Sequence, residues 1–202
     1  MKGRNHFVVG AGTLLLIEGA AGFIQPHLVA GYLLDTPFVV AAATGIAAVS
    51  ALLPDIDLAS SDIAYETGTG RGEGCLTGCL FGWLRRLMGG HRAFTHSLWI
   101  GLACVAVLGL QLGTVQVAGH TWPLIWPGLL GGWSDIGTAF TLGYLSHIVA
   151  DMLTREGVKF WFPLSRAEVG FGPRALRFDT GSWPEYAWVV ALIVAVIWVW
   201  FF

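Results

Sequence analysis

The sequence predicts an all-α protein: a polytopic integral membrane helical bundle of about five transmembrane helices plus a cytoplasmic interfacial helix, forming one domain over residues 1–202. Three observations predict it. First, 55% of the residues are apolar and 12% charged, with mean hydropathy +0.67, whereas an average soluble domain carries about twice that charge. Second, the apolar runs have the lengths that bilayers require, about 20 residues per span. Third, the basic residues fall only on alternate connecting segments.

The runs are Phe7 to Ile24, Pro37 to Leu53, Phe94 to Leu112, Ile136 to Leu153, and Tyr186 to Phe202, here called spans 1 to 5. They are rich in Gly and Ala, as closely packed membrane helices are. Span 1 opens like a signal peptide, with Lys2 and Arg4 ahead of apolar residues. Glu18 interrupts it and no A-x-A cleavage site follows, so it reads as a retained span. Between spans 2 and 3, the Gly-rich stretch Thr67 to Gly74 lacks the pattern of a phosphate-binding loop and reads as a mobile connection. After it, Leu76, Leu80, Trp83, Leu84 and Leu87 recur at helical spacing beside Arg85 and Arg86. That pattern predicts an amphipathic helix on the cytoplasmic membrane surface. Thr121 to Trp133 is too short and too broken by Pro and Gly to span, and is expected in the outer interface or as a re-entrant segment.

All eleven Lys and Arg residues lie before span 1, between spans 2 and 3, or between spans 4 and 5. Segments 25–36 and 111–135 have none. Because basic residues mark the cytoplasmic side, the N-terminus is expected inside and the C-terminus outside. The net charge of −2 points away from a nucleic-acid partner. Three cysteines, two of them in CLTGC, make neither a disulfide framework nor a CxxC zinc knuckle.

The chemistry lies in His and Asp. Asp55 and Asp57 follow span 2 in LLPDID, His91 and His96 open span 3 in HRAFTHS, and His147 and Asp151 close span 4 in SHIVAD. His6 opens span 1. On a helix the spacing of His147 and Asp151 puts both on one face, about 6 Å apart. Alone, each has an ordinary reading: a solvated helix end for the Asp55–Asp57 pair, a packed histidine for His147, an interfacial one for His6. Together, all seven fall at the cytoplasmic ends of four spans, where four helix ends can close on one polar centre. Ionisable groups at that depth are costly unless paired, wetted or ligated. Metal ligation resolves the cost for His6, Asp55, Asp57, His91, His96, His147 and Asp151 at once, and mixed His/Asp ligands favour zinc. His27 and His120 fall on the opposite face. Glu18, about 18 Å deeper than His6 and turned by about 120°, reads as a helix–helix contact or a proton-path residue. Thr95 and Ser97 could cap span 3 or orient His96.

LLPDIDL, GHRAFTHSL and LGYLSHIVADMLTREGVKFWFPLS together resemble the YdjM family. Its members are bacterial inner-membrane proteins, described as LexA-regulated and as membrane-bound metal-dependent hydrolases. The similarity is most specific over Leu142 to Ser165. The family's opening histidine corresponds to His6, its PDID pair to Asp55 and Asp57, and its HRxxTHS block to His91, Arg92, Thr95, His96 and Ser97. Its HxxxD pair corresponds to His147 and Asp151, and a late acidic position to Glu185 in TGSWPE. Where the family usually has His after PDID, this chain has Leu58. The family is also thought similar to zinc-dependent phospholipase C and P1 nuclease, a remote link.

The resemblance implies a hydrolase of ester bonds at the cytoplasmic face of the inner membrane, using two or three divalent ions, with a phosphoester, including a phospholipid from the surrounding bilayer, as substrate. Arg92 can clamp a phosphate bidentately or serve as an interfacial anchor. Arg92 and Glu185 are the catalytic candidates outside the ligand set. Lys159, Arg166, Arg174 and Arg177 could rim an anionic headgroup or serve topology alone. A non-catalytic protein with a structural or regulatory metal is the second reading. A metal transporter is the third, disfavoured because its ligands would lie near the mid-plane.

Overall fold

The computed structural model describes residues 3–24, 37–57, 93–117, 120–126 and 134–201. Its helices are α1 (Gly3–Ile24), α2 (Pro37–Ser50), α3 (Leu98–Leu108), α4 (Ser134–Met152) and α5 (Trp183–Phe201). Each falls within one of the five apolar regions or overlaps it closely. A 3-10 turn, Leu53–Asp57, follows α2. The segment 58–92 lies outside the described residues, so the expected interfacial helix and Gly-rich connection are not placed.

Helix α4 is the centre of the bundle. It packs against α1, α2 and α3, while α1 also packs against α2 and α5. Small residues permit this crowding. A Cβ built on Gly143 of α4 would collide with the Ala47 carbonyl oxygen and Ser50 Oγ of α2. One built on Gly10 of α1 would collide with the same carbonyl and with Ala51. The Ala47 carbonyl is therefore enclosed by two glycines from two helices, the close backbone approach that small residues give membrane bundles. Leu14, Ala43, Ala47, Ala139 and Leu142 fill the space around it, and Val9, Ala150 and Val189 seal α1 to α4 and α5.

Span lengths depart from expectation in two places. Among the described residues, α5 is the one helix both long and apolar enough to cross a membrane. Helices α1 and α4, at 22 and 19 residues, have the length but carry polar groups into the bundle. Helices α2 and α3, at 14 and 11 residues, are shorter than a regular span. The helix expected over Phe94 to Leu112 is cut at both ends. A turn occupies 94–97, and Gly109, at φ 89°, ends α3 in a backbone conformation that other residues rarely adopt.

After Gly109 the chain forms an antiparallel hairpin of β1 (Leu110–Val117) and β2 (His120–Trp126). The bundle is helical as expected, and this two-stranded hairpin is the addition to it. Thr114, Val115, Val117, Thr121 and Ile125 supply the β-branched content that favours strands. The segment expected to be too broken for a span is, up to Trp126, a strand; residues 127–133 lie outside the described ones.

Candidate metal centre

Four segments deliver side chains to one end of the bundle. His6 comes from the first turns of α1 and is fully buried. Pro54 follows α2, and the chain tightens into the 3-10 turn that presents Asp55, whose N–H donates to the Leu52 carbonyl at 3.3 Å. His96 sits in the turn before α3. Ser97 closes that turn by donating from both N–H and Oγ to the Phe94 carbonyl, at 3.0 and 2.7 Å. Tyr144 of α4 pins the same turn by donating its hydroxyl to the Thr95 carbonyl at 2.5 Å. His147 and Asp151 lie one turn apart on α4, both fully buried.

The four side chains converge on one small volume. His96 Nε2 and His147 Nε2 lie 3.0 Å apart. Asp55 Oδ1 is 3.7 Å from His96 Nε2 and 3.5 Å from His147 Nε2. Asp151 Oδ2 is 3.4 and 3.7 Å from the same two nitrogens. A tetrahedral zinc with N and O ligands holds those atoms about 3.3 to 3.6 Å from one another. The five distances bracket that value, and the four donor atoms all lie within 4.8 Å of each other.

Protonation agrees with ligation. His147 Nδ1 is 2.6 Å from the Ala51 carbonyl. A carbonyl only accepts, so Nδ1 carries the proton and Nε2 presents its lone pair to the centre. Thr95 Oγ1, 3.1 Å from His96 Nδ1, orients the second imidazole. A divalent cation can accept both imidazole lone pairs and balance two buried carboxylates.

His6 extends the cluster. Its ring stacks on His147 with centroids 3.6 Å apart, and its Nε2 is 3.3 Å from Asp151 Oδ1. His6 Nδ1 has no hydrogen-bond partner among the described residues. Asp151 thus turns one oxygen towards His96 and His147 and the other towards His6.

The structure brings His6, Asp55, His96, His147 and Asp151 together. The backbone of Asp57 ends the 3-10 turn, while its side chain, like His91 and Arg92, lies outside the described residues. Glu185, also buried, sits in the first turn of α5. Its Oε1 accepts from Asn5 Nδ2 and its Oε2 from the Gly181 N–H at 2.6 Å. The second bond reaches back over the helix start to the residue before its N-cap. The first ties α5 to α1 beside His6. Sequence reasoning missed Asn5; its signal was an amide in the opening turn of an otherwise apolar span.

Thr95→Val keeps the shape of that side chain and removes the His96 partner. It is expected to lower metal affinity by about 10- to 100-fold, the usual cost of losing a group that orients a ligand. Competition titration with a chromophoric chelator reads this directly.

A buried His/Asp centre at one end of a helical bundle defines a candidate metalloprotein built on helix ends. The chain belongs to the YdjM family: the family's sequence model, described as YdjM inner membrane protein, matches residues 1–202. It is 38% identical over 77 residues to inner membrane protein YdjM of Escherichia coli (strain K12). The identically named protein of Shigella flexneri matches equally well. The aligned stretch covers 37% of this chain and 31% of each relative, so the match spans about a third of the curated relatives' length. No solved structure matches this chain.

Proposed function

We propose that this chain is an integral inner-membrane, metal-dependent hydrolase that cleaves a phosphoester at the cytoplasmic face. The observation that carries the reading is the pair of imidazole nitrogens 3.0 Å apart, flanked by two carboxylate oxygens at tetrahedral-edge distances. Zinc suits that donor set. Asp55, His96, His147 and Asp151 would hold a first ion, and His6 with Asp151 would contribute to a second. Ions bound there would supply Lewis-acid activation of water and of a phosphoryl group. The chain's own contribution is to fix the ligands, exclude bulk water and, through Arg92, compensate phosphate charge.

One observation favours the second reading, a structural metal. Four protein atoms saturate a tetrahedral ion, as closed structural sites do. What separates the readings is His6: a second ion held by few protein atoms keeps positions open for substrate.

The orientation belongs to the same proposal. Basic residues lie on alternate segments, and α5 exposes Val190, Val194, Ile197 and Trp198 along its length, as a lipid-facing helix does. The N-terminus is then cytoplasmic and the C-terminus outside. A C-terminal reporter active only in the cytoplasm would overturn this orientation.

Arg92→Ala is expected to leave metal content intact and lower phosphoester turnover by about 100-fold or more, the scale seen when a charge-stabilising donor is removed. The assay uses phosphodiester and phospholipid panels with metal-loaded protein. Unchanged turnover would assign Arg92 to anchoring alone; no turnover on any phosphoester would favour the structural reading.

A further inference from the structure

The segment between α4 and α5 is a folded lobe with an unusual surface. Its chain pairs Thr154 with Phe178 and Val158 with Val169. The Phe171 N–H donates to the Met152 carbonyl at 2.8 Å, and Arg177 donates to the Gly170 and Gly172 carbonyls. Val158 and Phe162 are buried. Despite this order the lobe exposes Leu164 (77%), Leu176 (82%), Phe171 and Trp161, and Trp183 (77%) follows at the start of α5.

Topology sets the level of this surface. The lobe joins the last turn of α4 to the first turn of α5. It is also fastened to the first residue of α3, because the Leu98 N–H donates to the Phe160 carbonyl at 2.8 Å. Three helix ends therefore share one boundary. Trp99, Trp161 and Trp183, from three separate segments, are all exposed at it. Exposed tryptophans gathered at one level are the mark of a membrane–water interface.

Charge identifies what lies there. Residues 153–182 hold five basic and three acidic side chains. Arg155 is bound to Asp179 at 3.0 Å, and Arg177 is engaged by the glycine carbonyls. Lys159, Arg166 and Arg174 are in no ion pair among the described residues. Apolar side chains interleaved with these cations match a layer that is hydrocarbon below and anionic above.

We propose that residues 153–183 form a collar seated in the headgroup layer of the bilayer, binding anionic lipid headgroups through Lys159, Arg166 and Arg174. The proposal rests on the membrane embedding set out above, and not on metal binding or hydrolysis. Its experiment reads neither metal nor turnover, so its failure leaves that chemistry standing.

The test uses the full chain in nanodiscs of phosphatidylcholine alone or mixed with phosphatidylglycerol. Spin labels are placed at Leu164→Cys and Leu176→Cys after replacing the native cysteines with serine. Both labels should collide more with oxygen than with a water-soluble nickel chelate. Lipid retained by the wild-type protein should be enriched in phosphatidylglycerol by at least roughly fivefold, the gain from one basic residue near an anionic surface. Replacing Lys159, Arg166 and Arg174 together by Glu should abolish the enrichment; replacement by Gln serves if the reversed set does not fold. Nickel-accessible labels at both positions would overturn the proposal. So would equal retained lipid in wild type and variant, or protection appearing only when a cytosolic protein is added.

Discussion

His147→Ala is expected to cost at least about tenfold in metal affinity, since replacing a partner that merely orients a ligand already costs that much. It should also destabilise the fold by about 3 to 5 kcal/mol, the usual cost of stranding a buried charge. Two carboxylates, Asp55 and Asp151, face the space that His147 and its metal fill. Without them both anions stay buried with less compensation. The double variant His147→Ala/Asp151→Ala removes one of those anions with the imidazole, so its stability loss should fall short of the sum of the single losses. Metal content should fall in every case. His27→Ala and His120→Ala should change neither quantity. Elemental analysis and thermal unfolding of the purified protein read both effects; unchanged metal in the double variant would show that this helix face is not the ligand face.

Gly143→Val should act on the same centre from about one helical turn away. Its side chain would enter space held by the Ala47 carbonyl and Ser50 Oγ. Overpacking of this kind costs about 1 to 3 kcal/mol. The α2 end displaced is followed by Ala51, whose carbonyl holds His147 in its ligating tautomer, and leads on into the turn bearing Asp55. Metal affinity should therefore drop together with melting temperature. Gly143→Ala should show the same direction more weakly, because even one methyl meets main-chain atoms. Wild-type stability and affinity in Gly143→Val would mean that α2 and α4 do not approach this closely.

Much of the bundle was legible because apolar runs and helix breakers are local signals. Pro37 begins α2 where the run begins, and Pro54 marks where it gives way to the turn bearing Asp55. The i, i+4 spacing placed His147 and Asp151 on one face. The α3 boundary was misjudged because apolar composition continues past Gly109 while the backbone does not stay helical. Composition cannot distinguish an apolar strand from an apolar helix over so short a run.

The centre's ligands were legible as residue types at helix ends, but their support was not. The group that sets the His147 tautomer is a backbone carbonyl, which has no side-chain signature. The Asn5–Glu185 contact joins residues 180 apart, so neither end announces the other. Glu185, a catalytic candidate by the resemblance, accepts hydrogen bonds from Asn5 and Gly181 that join α5 to α1.

X-ray absorption on the full chain, purified without chelator, tests the central claim most directly. The account predicts stoichiometric divalent metal in a shell of N and O atoms at about 2.0 to 2.2 Å, with outer-shell scattering from imidazole rings. Chelation should lower the melting temperature, because an ion bound to the folded state alone stabilises it. A chain that takes up no stoichiometric zinc, manganese, iron or magnesium, and melts identically with and without chelator, would contradict it.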